Sequence, residues 1–485
     1  MQLTKTDFIQ YLNCPESLWL LKNKPEVYPK GNFSLFLEKI IKEGYEVEEF
    51  AKLLFPNGIN LPEDSTPEYT KQQLDSNSTI FFQPAFSSKK GIFARVDVLE
   101  RLANDTYHIY EIKSATSIKK GKLEDACFQK YVLQECGYVV SKVSIIHLDK
   151  DYVRDGGIVP DELLEVVEVT EQIDLIYSTV VNNINAASNF IRKEIIDKNQ
   201  CSSRYKTRSN HCDSFKYFNK DVPEFSIYEI ARISAKKIGL LVDNNQLGIL
   251  DIPLDFELST IQQTQVESVR RELVLINKLS IEKTLNKLKF PLHFVDYETF
   301  PTAIPKLDKM SPHNHLVFQV SVHTMQENGN LTHFEWLGTK LEQPIDMLKQ
   351  MQNFTGLTGT FVSWNAPFEI SRNKDMLVWT PEFVDYLNYM NTHMFDLMNV
   401  FKTDYVDYRF HGSTSIKKVL PVLCPQFSYS DLEVQDGTMA LDTWGRMVSD
   451  PNFNEDIEQT RKNLLAYCEL DTLAMVEIYK VLKNN

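Results

Sequence analysis

The stretch His293-Phe294-Val295-Asp296-Tyr297-Glu298-Thr299-Phe300 constrains this chain more than any other. Its apolar start reads as a buried strand that ends in two carboxylates. Asp296 and Glu298 stand two positions apart, so on a strand they share a face. Two acids on one face repel unless something positive lies between them. A divalent cation such as Mg²⁺ or Mn²⁺ meets that need, because hard cations take oxygen ligands. The plain alternative is an edge strand with a solvated acidic face, and what weighs between the two lies elsewhere in the chain.

At 485 residues the chain is too long for one ordinary core, and two or three domains are expected. With 43% hydrophobic residues it can bury those cores. No apolar run approaches the roughly 20 residues of a membrane helix, and the start, Met1-Gln2-Leu3-Thr4-Lys5-Thr6, lacks a signal pattern. A cytoplasmic protein with no membrane partner is the expectation. Seven scattered cysteines do not make a disulfide framework. The net charge of −14 speaks against a general phosphate-backbone binder, although local fields depend on clustering. Basic residues do cluster, at Arg204, Lys206, Arg208, Lys216 and Lys220, and at Lys113, Lys119, Lys120 and Lys122. A solvated face explains either cluster equally well.

Residues 5–55 read as helices, with Pro15 at a helix start and Pro56-Asn57-Gly58 as a closing turn. Glu48 and Glu49 on the second helix read more readily as surface charge than as site acids. Residues 79–113 then alternate as strands, with Asn104-Asp105 turning a hairpin that sets Asp97 beside Glu111-Ile112-Lys113. By the period of two, Glu111 and Lys113 share a face. Two carboxylates can hold a divalent ion that activates water, and the lysine can stabilise charge developing on phosphorus.

This Asp97, then Glu111-x-Lys113, resembles the PD-(D/E)xK nucleases, and its flanks resemble their RecB-like branch, which includes the CRISPR-associated exonucleases. The flanks are Tyr11-x-x-Cys14-Pro15, a glycine-led helix, and a helix from Lys122 carrying Gln129 one turn after Asp125. The resemblance covers roughly residues 1–215. It implies a restriction-endonuclease-like α/β core and a catalytic set of Asp97, Glu111, Lys113 and Gln129, with Asp97 and Glu111 on the metal. Relatives often carry an iron–sulfur cluster, and Cys14, Cys201 and Cys212 match three of its four cysteines. A fourth is missing, and such clusters are normally held by four. His211 as a substitute and zinc on three thiols are alternatives, but plain thiols are preferred. Cys127, Cys136, Cys424 and Cys468 read as small core residues.

Residues 216–288 read as a helical linker, including one long helix over Leu258–Leu279. Gln172–Lys198 reads as another long helix. From 289 the α/β pattern resumes: His315–Met325 and Leu331–Leu337 as strands, then Thr360–Trp364 leading into Asn365-Ala366-Pro367-Phe368-Glu369. Asp396 reads better as a helix cap than as a ligand. A final helix over about Glu455–Leu482 carries Tyr467 and Asp471 at i and i+4, one above the other.

These three motifs in this order resemble the DEDD exonucleases of the RNase H-like fold, with Tyr467 marking the DEDDy subtype and Glu369 standing where an aspartate is usual. The resemblance implies that Asp296, Glu298, Glu369 and Asp471 hold two divalent ions about 3.5–4 Å apart and that Tyr467 orients the attacking water. Phe410–Pro421 and Ala466–Met475 resemble a bacterial family that fuses a RecB-like nuclease to a DEDD-type domain. Lys417 and Lys418 are either phosphate contacts or a solvated helix start.

The chain is thus expected to be an α/β protein with a nuclease domain over 1–215, a linker over 216–288 and an exonuclease domain over 289–485. It would be a Mg²⁺- or Mn²⁺-dependent nuclease on DNA, or on RNA, in repair or in defence against foreign DNA, with the C-terminal site trimming 3′→5′. The rivals are a nucleic-acid-binding protein with one or both sites inert, and hydrolysis of a small phosphodiester.

Overall fold

A computed structural model describes residues 1–29 and 35–484. Residues 30–34, inside the stretch expected to be helical, and residue 485 lie outside the described residues. The fold is mixed α/β, as expected, and separates into two compact units. The first contains Met1–Asp221 and Ala303–Pro312; the second contains Val222–Thr302 and His313–Asn485. The stretch expected as a linker is therefore divided, through Asp221 in the first unit and from Val222 in the second.

The first unit is built on a six-stranded sheet whose spatial order follows the chain: β1 (Ile59–Asn60), β2 (Ile80–Phe82), β3 (Val98–Arg101), β4 (Tyr107–Lys113), β5 (Val140–Leu148) and β6 (Leu164–Glu168). β3 and β4 form the expected antiparallel hairpin, and β4 runs parallel to β5. Both faces are covered, and the period of two sorts the apolar residues between them. Phe81, Leu99, Ile109, Val143 and Ile145 join one core with Phe8 and Phe128. Phe82, Val98, Ile112, Ile146 and Leu148 join another with Val47, Ala51, Ala303 and Ile304.

Helices α1 (Lys5–Asn13), α2 (Pro15–Asn23), α3 (Leu35–Lys52), α4 (Lys120–Glu135) and α5 (Thr170–Phe190) accompany this sheet. Thr4 and Asp7 close a capping box on α1, and Pro15 opens α2. α5 stops at Phe190, short of the expected Lys198. Side chains of α2 take over the carbonyls there: Asn23 Nδ2 donates to Ile191 O at 2.9 Å and Trp19 Nε1 to Lys193 O at 2.8 Å.

The second unit carries a five-stranded sheet of β7 (Leu292–Pro301), β8 (His315–Met325), β9 (Leu331–Leu337), β10 (Thr360–Ser363) and β11 (Met394–Asp396). The strand order is β9-β8-β7-β10-β11, antiparallel through β9-β8-β7 and parallel through β7-β10-β11. Its helices include α6 (Thr260–Arg271), α7 (Pro367–Trp379), α8 (Ile416–Leu423), α9 (Gly437–Ser449) and α10 (Ile457–Asn484). The helix expected to run from Leu258 to Leu279 is shorter, because Glu272 turns left-handed with φ 52° and ends α6.

Candidate functional site

The acids of β7 are positioned by alternation. Tyr297 points to one face, where its hydroxyl donates to Asn373 Oδ1 of α7 at 3.1 Å. Asp296 and Glu298 point to the other, where Cys468 Sγ of α10 lies 3.8 Å from Asp296 Oδ2. The register of β7 against β8 slips between Glu298 and Thr299, a bulge immediately beside the acids. The last helix brings Asp471 in, and oxygens of Asp296, Glu298 and Asp471 lie within 4.8 Å of one another.

Burial pushes all three carboxyls up, and repulsion by neighbouring acids adds to it at Asp296 and Glu298. Asp296 is driven well above its ordinary range by burial, then by Asp471 and Glu298. Glu298 rises to about 8 through burial and Asp471, and Asp471 to about 6 through burial against the pull of Tyr429. Tyr429 donates its hydroxyl hydrogen to Asp471 Oδ1 at 2.5 Å. Lys417 supplies the nearby positive charge and lowers both Glu298 and Asp471. Its ammonium sits 5.3 Å from the Tyr467 ring centroid and 5.4 Å from that of Tyr429, and donates to Gln435 O at 2.8 Å.

Glu369 follows β10 on α7 and is buried, but it is not among the three converging acids. Ser363 donates to its Oε2 at 2.6 Å, and burial raises it to about 7. Asp396 Oδ1 accepts the backbone N–H of Met398 at 3.1 Å and that of Asn365 at 3.2 Å, but the cap position of the helix Met398–Thr403 is held by Leu397, so Asp396 is not the expected helix cap.

A cavity of about 250 Å³ has Asp296, Glu298, Lys417, Tyr467 and Asp471 on its wall. A larger cavity of about 450 Å³ lies among Ala231, Ile261, Phe401, Phe410 and Gly412. It has no converging acids, so the smaller one is the better candidate for chemistry. Gly437 opens α9 against the acids: a Cβ there would meet Glu298 Oε2 at 3.3 Å, so glycine permits that close approach. Tyr429, Cys468 and Gly437 were missed as site residues because a lone tyrosine, cysteine or glycine carries no spacing signal.

In the first unit Glu111 is buried and Asp97 half-buried, and they are differently partnered. Glu111 Oε1 accepts from Lys113 Nζ and from Lys5 Nζ, both at 2.6 Å, and Gln129 donates to Oε2. Burial pushes Glu111 up, but Lys5 and Lys113 outweigh it and hold it at about 2. Asp97 accepts the Ile112 N–H at 2.8 Å, and burial together with Glu111 raises it to about 7. Lys113 also reaches Asp125 Oδ2 at 2.7 Å. Gln83 bridges to Glu48 at 2.7 Å and weakly to Asp97 at 3.5 Å, so Glu48 stands nearer this cluster than a surface charge would.

Gln129 Oε1 and Asp125 Oδ1 are buried without a hydrogen-bond partner. Such orphaned acceptors at a carboxylate cluster fit a cation. The groups of three or more metal donors among the described residues nevertheless leave out Asp97 and Glu111. Lys5 occupies the side of Glu111 where an ion would compete, and no motif announced it.

Cys14, Cys201 and Cys212 do converge, their sulfurs within 4.8 Å, with Cys201 and Cys212 4.0 Å apart. Hydrogen bonds from Cys14 and Cys201 pull Cys212 down to about 3. Asn219 Nδ2 donates to Cys201 Sγ at 3.3 Å. His211 does not complete the set: its Nε2 meets Lys206 O at 3.2 Å and its ring stacks on Phe215 at 3.5 Å. Three thiols suit a single soft ion, and among the described residues no fourth cysteine joins them to hold an iron–sulfur cluster. Of the basic cluster that follows, Arg204 is buried and paired with Asp221 through bonds of 2.9 and 2.6 Å, so it serves structure.

Among the described residues no helix is long and apolar enough to cross a membrane. Residues 293–415 match a family described as a domain of unknown function, DUF2779. That span contains Asp296, Glu298 and Glu369 but stops before Tyr429, Tyr467 and Asp471. The chain is 29% identical over 224 residues to the "Uncharacterized protein MG366 homolog" of Mycoplasma pneumoniae, covering 41% of this chain and 33% of that protein. It is 24% identical over 292 residues to the "Uncharacterized protein UU173" of Ureaplasma parvum, covering 54% of this chain and 41% of that one. The matched stretch thus spans about a third to two fifths of these relatives' length. A solved structure titled "Crystal structure of SSO0001" aligns over 40% of this chain and 77% of its own at 12% identity, with a TM-score of 0.21 that carries no argument about the fold.

Proposed function

We propose that this protein is a cytoplasmic, divalent-metal-dependent phosphodiesterase acting on nucleic acid, DNA before RNA, with its better-formed site around Asp296, Glu298 and Asp471. One observation carries the reading: three acids from β7 and α10, Glu298 and Asp471 buried and Asp296 half-buried, converge to within 4.8 Å while each is pushed toward its protonated form. Repulsion of that kind is relieved by Mg²⁺ or Mn²⁺, and the all-oxygen donor set suits those ions.

A bound divalent ion supplies the Lewis acidity that polarises a phosphodiester and activates water. The chain's own groups do the rest. Asp296, Glu298 and Asp471 hold the charge in place, while Tyr429 fixes the rotamer of Asp471 by its hydrogen bond. Tyr467, on the cavity wall, orients the attacking water. Lys417, on the same wall, attracts the phosphate and offsets negative charge growing on it. Glu369, held by Ser363, lies close enough to Asp296 and Glu298 to raise both further. The order of motifs supports a DEDD-type, 3′→5′ exonuclease.

A second reading applies to the first unit. With Glu111 neutralised by both Lys5 and Lys113, that site supports nucleic-acid binding without cleavage as well as a PD-(D/E)xK reaction. Labelled single-stranded DNA and RNA with Mn²⁺ test the whole proposal. Degradation abolished by Asp296→Ala and unchanged by Asp97→Ala assigns activity to the second unit; the reverse assigns it to the first. Intact substrates with the unaltered protein overturn the nuclease reading.

A further inference from the structure

His323 and His333 are direct partners across β8 and β9, so their side chains leave the sheet on the same face. Their rings stack with centroids 4.2 Å apart, and Glu469 reaches them from α10. One nitrogen from each ring and one Glu469 oxygen lie within 4.8 Å of one another. His333 Nδ1 is 3.8 Å from Glu469 Oε1.

Hydrogen bookkeeping behind the rings fixes which nitrogens carry protons. Thr472 Oγ1 lies 3.1 Å from Glu469 O, and a carbonyl can only accept, so the one hydroxyl hydrogen of Thr472 is spent there. Ser321 Oγ, 2.7 Å from Thr472 Oγ1, must then donate to it. His333 Nε2, 2.9 Å from Ser321 Oγ, must in turn donate to that oxygen. His323 Nδ1, 2.8 Å from Thr472 Oγ1, must donate as well. In its uncharged form each ring then keeps its lone pair on the other nitrogen, His323 Nε2 and His333 Nδ1. Those nitrogens belong to the rings that, with Glu469, bring donor atoms within 4.8 Å of one another.

We propose that His323 Nε2, His333 Nδ1 and Glu469 bind a divalent transition ion of the zinc class. Imidazole and carboxylate suit such ions, and metal-ligating histidines characteristically spend their second nitrogen on an oxygen partner, as both rings do here. The donors must close to about 3.3 Å around zinc, from Zn–N bonds of about 2.0–2.1 Å. Glu469, with its side chain 47% exposed, is free to make that adjustment. The ion ties α10 to β8 and β9 two residues from both Tyr467 and Asp471. Ser321 is itself the register partner of Asp296, so this site braces the strand and the helix that carry the acids. It is separate in chemistry from the oxygen-only cluster and does not depend on the nuclease reading.

Zn²⁺ titration of the full chain by calorimetry, in excess Mg²⁺ to saturate the oxygen-only sites, tests the proposal. The unaltered protein is expected to bind one more equivalent of Zn²⁺ than His333→Asn, and Glu469→Gln to weaken that equivalent at least tenfold. Any equivalent held by the three thiols remains in all of them. Equal stoichiometry and affinity in the three proteins overturn the site. Should either variant melt differently in chelator, Co²⁺ spectra of the unaltered protein decide. Weak visible bands without thiolate charge transfer support the site, and thiolate bands alone overturn it.

Discussion

Tyr429 gives its hydroxyl hydrogen to Asp471 Oδ1 across 2.5 Å, joining a residue that follows α8 to the acid on the last helix. The bond favours the ionised carboxylate against the burial that opposes it. Tyr429→Phe should therefore make Asp471 harder to ionise. The pH midpoint of Mn²⁺ binding is expected to move up, by up to about one unit for a lost charge-assisted hydrogen bond. Mn²⁺ titration at several pH values checks this, and an unmoved midpoint contradicts the coupling.

Glu298, Glu369 and Asp471 have folded-state pKa values of about 8, 7 and 6, above their ordinary values of 4.5, 4.5 and 3.8. Between the ordinary and raised values the folded state binds more protons than the unfolded one, so stability falls as pH rises. Metal-free protein should be most stable below about pH 4 with respect to these groups, and should lose that contribution as pH climbs to about 8. Mg²⁺ should restore it at high pH by replacing the protons. Denaturant melts across this range, with and without Mg²⁺, measure both effects. Asp296→Asn removes one repelling charge and should stabilise the metal-free protein at pH 8 by about 1–3 kcal/mol.

Lys5 and Lys113 share Glu111 Oε1 at 2.6 Å each. Lys5→Met leaves a buried carboxylate with one ammonium fewer. A destabilisation of about 1–3 kcal/mol is expected at pH 7. Adding Glu111→Gln should recover part of it, because the uncompensated charge then disappears. A double-mutant cycle by urea unfolding reads the coupling. Independent, additive losses would mean that Lys5 does not balance Glu111.

Gly437 lets the start of α9 approach Glu298 closely. Gly437→Val places branched bulk where a single Cβ already lies 3.3 Å from Glu298 Oε2. Mn²⁺ affinity should fall about tenfold, or about 1.4 kcal/mol, while the thiol and histidine clusters keep their metal affinities. Calorimetry with Mn²⁺ and Zn²⁺ separates the two effects.

Much of the framework was legible along the chain. The hairpin that ends in Glu111, the strand carrying Asp296 and Glu298, and the helix carrying Tyr467 and Asp471 form where periodicity places them, whereas the strand expected through Asp97 breaks, leaving Asp97 just ahead of β3. Helix ends were less legible. α5 ends early where α2 captures the carbonyls of Ile191 and Lys193 just past its last turn, and α6 because Glu272 turns left-handed. The first depends on residues about 170 positions away and the second on a conformation rarely announced by glutamate.

What local pattern determined by itself was which residues alternate, and therefore which acids share a face. Alternation is a property of neighbouring backbone units, so it survives without knowledge of the rest of the chain. Only the tertiary structure decided what meets those faces: Lys5 at Glu111, Tyr429 and Lys417 at Asp471, and Glu469 at two paired histidines. Electrostatic balance at a buried carboxylate depends on the distance and desolvation of every nearby charge. Those quantities exist only once distant segments have packed together.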